Sequence, residues 1–342
     1  MRILFEITHP KHVHFFRNAV KELQTRGHVV AITAREKDVT LNLLKAYGLD
    51  YTVLSAQTKD GILSLAGELL IRDWRLWHVV RKFKPDLLVA RVGPCAAHVG
   101  KLMRRPVIVF EDTEEGILQQ RISFPFVTRI CTAKHYEKDW GSKHKRYQSF
   151  DELAYLHPNR FTPDPKLVEQ ARLKPGEYIV VRFVSWRAAH DIGKSGIDRN
   201  HRIELLEELA RYGRVIVTSE APLPQKFERF QSPVAPAEFH HLLAFARLSL
   251  SESASVAAEA ALLGVPAVLV NTMNWGVINR LRDHYRMVFQ ARSTEEGLTI
   301  ISELLRDPQT PSRWRQRKEE LLRNEIDLTE WIIREIESFR SD

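Results

Sequence analysis

Leu250-Ser251-Glu252-Ser253-Ala254-Ser255-Val256-Ala257-Ala258-Glu259-Ala260-Ala261-Leu262-Leu263-Gly264-Val265-Pro266 is the stretch that decides the fold class. A short apolar strand ends, small hydroxylated residues open a helix, and Gly-x-Pro closes it before the next apolar run, 267–270. Small residues at a helix start leave backbone N–H groups free to face a ligand beyond the strand ends, where a phosphate or diphosphate gains from the helix dipole. The pattern therefore predicts diphosphate contacts at Ser253, Ala254 and Ser255. Glu259, about a turn and a half further on, suits two ribose hydroxyls. A capped amphipathic helix with Glu259 in solvent fits the same spacing.

Outward from this segment, short β-branched runs alternate with longer helical patterns, the signature of parallel sheets covered by helices. In the first half the expected strands are 3–7, 29–33, 51–54, 87–90, 107–110 and 128–132. Helices are expected near 13–25, 38–47, 61–84, 95–103, 115–122 and 134–140. His157-Pro158-Asn159-Arg160-Phe161-Thr162-Pro163-Asp164-Pro165 is rich in proline, reads as extended and marks the domain boundary. A second alternating set follows, with strands at 178–184, 215–218, 248–250, 267–270 and 287–290. Its helices are expected at 201–212, 236–246, 254–263, 275–283 and 294–306. The organisation expected is a first domain at 1–160, a second at 161–311, and charged helices at 312–342 that cross back onto the first.

At 342 residues, two domains of roughly 150 residues each are the natural division. With 44% hydrophobic and 27% charged residues, each half has the apolar material for a core, and disorder is excluded. Cys95 and Cys131 each lie in or beside an apolar run and read as reduced core thiols. The N-terminus enters a strand at once, without a leader pattern, and no apolar run is long enough to span a bilayer. A cytoplasmic protein is expected. The net charge of +8 suits an anionic ligand, an anionic membrane surface or nucleic acid, but no zinc-finger, aromatic-basic or basic-heptad signature accompanies it. The segment 68–84, with Trp74, Trp77 and Phe83, suits either a helix covering the sheet or peripheral contact with an anionic membrane.

Three further clusters carry chemistry. Directly after the first strand comes Thr8-His9-Pro10-Lys11-His12-Val13-His14, where a histidine suits general-base work on an acceptor hydroxyl, His12 ahead of His9. A metal held by His9, His12 and His14 is the minority alternative, since no carboxylate sits at matching spacing. The loop 182–196 contains Arg187, Gly193 and Lys194, two cations and a close-approach position for a diphosphate, as well as His190-Asp191. Phe110-Glu111-Asp112-Thr113-Glu114-Glu115 ends a strand with clustered carboxylates, of which Asp112 is favoured to bind a sugar hydroxyl or assist a base. Thr218-Ser219-Glu220 ends a strand of the second half and suits a nucleotide contact.

The run Ser253 to Pro266 resembles the donor-binding motif of GT-B glycosyltransferases, particularly the lipid-linked N-acetylglucosaminyltransferase of peptidoglycan synthesis. There a glutamate seven residues before the proline binds ribose, which implies that role for Glu259. Counting back from Gly27-His28-Val29 aligns His12 with that enzyme's turn histidine, although Pro10-Lys11 stands where the enzyme has two glycines. Taken with Glu152-Leu153-Ala154-Tyr155-Leu156-His157-Pro158, these motifs look like the domain-of-unknown-function family 354, which is grouped with GT-B glycosyltransferases and UDP-N-acetylglucosamine 2-epimerases.

The resemblance implies an α/β chain of the GT-B type, two Rossmann-like domains whose parallel sheets face a central cleft. It implies a metal-independent glycosyltransferase with a nucleoside-diphosphate sugar as donor, a UDP-sugar by preference, no tightly bound cofactor, and an acceptor such as a lipid-linked sugar. Catalysis is then expected from His12, His9 and Asp112, and donor binding from Arg187, Gly193, Lys194, Ser253, Ala254, Ser255 and Glu259. A 2-epimerase-like enzyme using Glu111, Asp112 and Glu114 is the first alternative. A non-catalytic sugar-nucleotide or polyanion-binding protein is the second.

Overall fold

The computed structural model describes residues 1–56, 62–184, 197, 201–219 and 223–339. They fall into two compact units, Met1–Arg160 with Ile326–Asp342, and Phe161–Glu325. The first is built on seven parallel strands: β1 (Arg2–Ile7), β2 (Val29–Glu36), β3 (Thr52–Ala56), β4 (Leu87–Arg91), β5 (Val107–Glu111), β6 (Arg129–Ala133) and β7 (His144–Tyr147). Their order is β3-β2-β1-β4-β5-β6-β7. The central strands are mainly apolar and, apart from Arg2, buried, as a sheet covered on both faces requires, with the charged residues Glu6, Arg91 and Glu111 near their carboxyl ends. The helices Pro10–Thr25 and Thr40–Ala46 pack together, and Ile62–Phe83, Pro94–Leu102 and Ile117–Ser123 form a second group. Right-handed crossovers that reverse direction at β1 and β4 put the two groups on opposite faces.

That reversal point is where a crevice opens in doubly wound sheets, beyond the carboxyl ends of β1 and β4. The sequence makes the crossing close. Glu6, buried on β1, accepts the backbone N–H of Ala96 at 3.0 Å in the first turn of Pro94–Leu102 and pairs with Arg72 at 2.7 Å. A side chain at Gly93 would lie 2.5 Å from the Glu6 carboxylate, so only glycine allows this approach.

The second unit carries five parallel strands: β8 (Tyr178–Phe183), β9 (Arg214–Ser219), β10 (Leu248–Ser251), β11 (Ala267–Val270) and β12 (Val288–Ala291). Their order is β12-β11-β10-β8-β9, with the reversal between β8 and β10. The helix Ala254–Leu263 follows β10 and is buried around its circumference beyond its first turn, which its five alanines and terminal leucines explain. Gly264 closes it in the left-handed region at φ +86°. Thr310–Asn324 lies in this unit, whereas Leu328–Glu337 packs in the first, where Thr329 donates to the Ala154 carbonyl at 2.6 Å. Cys95 and Cys131 are buried and unbonded to each other.

Every strand expected from the sequence is present, and β7 is additional. The helix expected near 134–140 is absent. Those residues run irregularly towards Gly141, whose φ is +66°, and the Arg146 guanidinium donates to the carbonyls of Tyr136 and Lys138 at 2.6 and 2.8 Å. One arginine on β7 thus supplies the donors that a helical ladder would have supplied.

Gly264→Ala tests the helix stop. A methyl group there meets Lys318 Cδ at 2.9 Å in a backbone region costly for alanine, so urea denaturation should show a loss of about 1–2 kcal/mol. An unchanged midpoint would mean that the turn relaxes freely.

Candidate functional site

Each unit holds a polar cluster at the carboxyl edge of its sheet. In the first, β1 ends at Ile7 and the chain turns directly into Pro10–Thr25. His9 caps this helix, its Nδ1 accepting the backbone N–H of Lys11 at 3.2 Å. His12 Nδ1 lies 3.3 Å from both the backbone N and the Oγ1 of Thr8. Thr8 therefore sets the tautomer. If Nδ1 accepts from the Thr8 amide, the proton sits on Nε2; if Nδ1–H donates to Oγ1, the Nε2 lone pair is left as a base. Burial, then Lys37 and Lys11, push His9 down to about 3. Burial and Arg91 hold His12 well below the usual imidazole range. Both rings are neutral at physiological pH.

Beside them lies an ion cluster drawn from four strand ends. Arg91, closing β4, pairs with Asp112 at 2.7 Å and with Asp151 at 2.6 Å, and its guanidinium lies 4.3 Å from the Phe15 ring centroid. Lys11 pairs with Asp112 at 2.5 Å and Glu152 at 3.2 Å. Tyr147 donates to Asp151 at 2.5 Å. Burial alone would raise Asp112, but Arg91 and Lys11 outweigh it and hold the carboxyl well below the carboxylate range. Glu152 moves the other way, raised by burial, with Lys11 only partly opposing.

This corrects the expectation that Asp112 assists a base: both its oxygens are in ion pairs and its proton affinity is very low. It anchors Lys11 and Arg91, and can only accept from a ligand hydroxyl. Nor do the neighbouring carboxylates converge. Glu111 turns back to accept the backbone N–H groups of Asp112 and Thr113 at 2.9 and 3.0 Å, and burial with the Asp112 charge pushes it up to about 7. Glu114 Oε1 accepts from the Glu137 amide. The metal alternative also fails, because His14 turns away to Tyr47, its Nδ1 3.3 Å from the hydroxyl. Among the described residues no group of three His, Cys, Asp or Glu side chains is arranged to hold a metal.

In the second unit, β10 delivers Ser251, whose Oγ accepts the Ser253 amide at 2.8 Å and donates to the Ser253 carbonyl at 3.0 Å. This double bond shapes the turn that opens Ala254–Leu263. Ser253, Ala254 and Ser255 form its half-buried start, and the rest of the helix is buried. Glu259 is buried too, at 7% exposure, with Oε1 3.1 Å from His240 Nε2, so the solvated alternative is excluded. Thr218 Oγ1 donates to the Val181 carbonyl at 3.5 Å. Arg187, Gly193 and Lys194, like His190, Asp191 and Glu220, lie outside the described residues.

Sequence reasoning missed Glu252. Its carboxylate accepts the backbone N–H groups of Val184 and Ile197 at 2.9 and 2.8 Å and pairs with Arg202 at 2.8 Å, while Asn271 donates to its carbonyl at 3.1 Å. One buried acid thus fixes both the exit from β8 and a point thirteen residues on. It also missed Thr8, Lys11, Arg91 and Glu152. A signal existed for Arg91: an arginine closing an otherwise apolar strand demands acidic partners, and Asp151-Glu152 is such a pair.

Two parallel Rossmann-like sheets, each with a polar cluster at its carboxyl edge, define the GT-B fold. Similar solved structures agree. The UDP-GlcNAc 2-epimerase of Methanocaldococcus jannaschii superposes with a TM-score of 0.69 at 13% identity, covering 99% of this chain and 100% of its own. The Neisseria meningitidis UDP-GlcNAc 2-epimerase bound to UDP-GlcNAc gives 0.68 at 13% identity, with 99% and 100% covered. The spinosyn forosaminyltransferase gives 0.65 at 13% identity, with both chains covered in full. The chain belongs to the family described as protein of unknown function (DUF354), which matches residues 1–307. No curated protein sequence matches it.

The histidine cluster makes a pH prediction. His9 titrates near 6.5 in an unfolded chain and at about 3 here, so its stabilising contribution is full above pH 6.5 and is lost as pH falls towards 3. His9→Asn keeps a capping acceptor without the titration. Between about pH 7.5 and 4.5, urea denaturation should show the wild type losing about 2 kcal/mol more than the variant. Equal losses would mean that His9 is not held neutral.

Proposed function

We propose that this protein is a glycosyltransferase that takes its sugar from a nucleoside diphosphate, a UDP-sugar by preference. The observation that carries the reading is Glu259: an acid buried in a helix that is otherwise apolar all round, one and a half turns from a half-buried start at the reversal point of its sheet. In this reading the amides at Ser253, Ala254 and Ser255 receive the diphosphate, with Arg187 and Lys194 neutralising the leaving group and Gly193 allowing close approach. Glu259 holds the ribose, and His240 keeps its carboxylate oriented. In the first unit His12 takes the acceptor proton as its Nδ1–H tautomer, which requires Nδ1 to exchange the Thr8 amide N–H it accepts for Thr8 Oγ1 as the orienting acceptor, and His9 lines the same edge. The acceptor is a hydroxylated molecule such as a cell-envelope saccharide or glycolipid. Two similar structures, complexes with UDP-GlcNAc and with UDP, support the choice of nucleotide.

A 2-epimerase-like activity is the second reading, favoured by Glu111, which burial brings to about 7 and so into the range for proton exchange at neutral pH. It requires conversion of the sugar nucleotide with no acceptor present.

Calorimetric titration with UDP, GDP, dTDP and CMP tests the donor site. UDP should bind best, and Glu259→Gln, which keeps a partner for His240, should weaken it about 10- to 100-fold. If no nucleotide binds, both enzymatic readings fail. Thr8→Val tests the tautomer: nucleotide affinity should stay unchanged while sugar turnover falls about tenfold or more. Unchanged turnover would remove His12 as the base.

A further inference from the structure

The first unit exposes apolar side chains unevenly. Among the described residues, seven of the ten exposed large hydrophobic side chains fall on its second helix group and the turn that follows, among them Leu70 (70%), Trp74 (62%), Leu102 (71%), Leu118 (74%) and Phe126 (42%). His98 joins the elements that carry them. Its Nδ1 lies 2.8 Å from Asp73 on Ile62–Phe83, and its Nε2 lies 3.0 Å from the Ile122 carbonyl on Ile117–Ser123. Phe126 meets the His98 ring at 5.6 Å. Leu102 is one helical turn beyond His98, Leu118 one turn before Ile122, and Trp74 adjoins Asp73 one turn after Leu70.

The same elements, and the turn after Pro94–Leu102, also carry the exposed bases Lys82, Lys101, Arg104, Arg105 and Arg121. The acids on the helix Ile62–Phe83 are engaged: Asp73 with His98, and Glu68 with Arg35 and Ser55. So many exposed large apolar side chains on adjoining helices are unusual for a soluble monomer and point to a docking face. Charge selects the occupant. A second copy related by a two-fold axis would set the basic rim against itself. A nucleic acid would satisfy the bases and leave the leucines and aromatic rings in water. An anionic bilayer satisfies both, with phosphates for the bases and the acyl boundary for Leu and Trp.

We propose that this face seats the protein on the surface of an anionic lipid bilayer, with the three helices lying along it; among the described residues no helix is long and apolar enough to cross. Ile117–Ser123 begins a few residues beyond Asp112, so the seat adjoins the polar cluster of the same unit. The proposal stands independently of the sugar-nucleotide reading, since vesicle binding and nucleotide binding are separate measurements.

Flotation of the full-length protein with phosphatidylcholine vesicles, with and without phosphatidylglycerol, is the test. Binding is expected only to the anionic vesicles. Leu70→Glu with Trp74→Glu should reduce it at least tenfold, and Arg104→Glu with Arg105→Glu by about tenfold or more. All four positions are exposed, and thermal denaturation checks that each variant folds. Failure to bind either vesicle overturns the proposal. So does binding that salt abolishes but the Leu70 and Trp74 substitutions leave intact, which is charge adsorption alone. A dimer in light scattering that those same substitutions dissolve would assign the face to a second copy instead.

Discussion

A buried guanidinium cannot stand alone, and the first unit is organised around this constraint. Arg91 ends a strand with no water to solvate it, so its charge must be met by the protein. Asp112 and Asp151 come to it from the ends of β5 and β7, and Phe15 covers its face from the first helix. Asp112, fixed in this way, fixes Lys11, and Lys11 in turn engages Glu152. Loops that share no local sequence are thereby locked into one arrangement, and the neutral histidines sit against it. Their neutrality follows from the same source, since burial and the nearby cations both disfavour an imidazolium.

The second unit uses carboxylates differently. Glu252 spends its charge on backbone amides and Arg202, and so organises the chain. Glu259, seven residues later, is placed by a helix made almost wholly of small and aliphatic residues, against His240. Two acids with identical side chains take separate parts because one lies before the helix, beside free amides, and the other lies within it, where the amides are already used.

Periodicity made the architecture legible, since β-branched runs and their helical spacers depend on local pattern alone. The strand 144–147 escaped because His-Lys-Arg-Tyr is polar and charged; it pairs at the sheet edge and draws support from Arg146 and Glu335, a residue remote in sequence. Spacing put Ser253 at the start of the helix and Glu259 within it, as the structure has them, and the structure buries Glu259 as solvation arguments alone would not have predicted. Thr8, Lys11 and Glu152 were not legible, because their roles arise from contacts between the ends of different strands. The carboxylates at 111–114 looked like one cluster in sequence, but backbone amides at the turn capture Glu111 and separate it from Asp112.

The path of the chain has a consequence for biosynthesis. The first unit begins at Met1, is left at Arg160, and is re-entered only at Ile326. Its last helix, Leu328–Glu337, brings Trp331 against Tyr147 and buries Ile332, Ile333 and Ile336. A nascent chain therefore carries an unfinished first unit, with an apolar groove where that helix belongs, throughout translation of the intervening 165 residues. Only when the helix Leu328–Glu337 has left the ribosome can this groove close. Premature termination near residue 325 would then expose the groove permanently, making that helix a checkpoint for whether the first unit survives quality control.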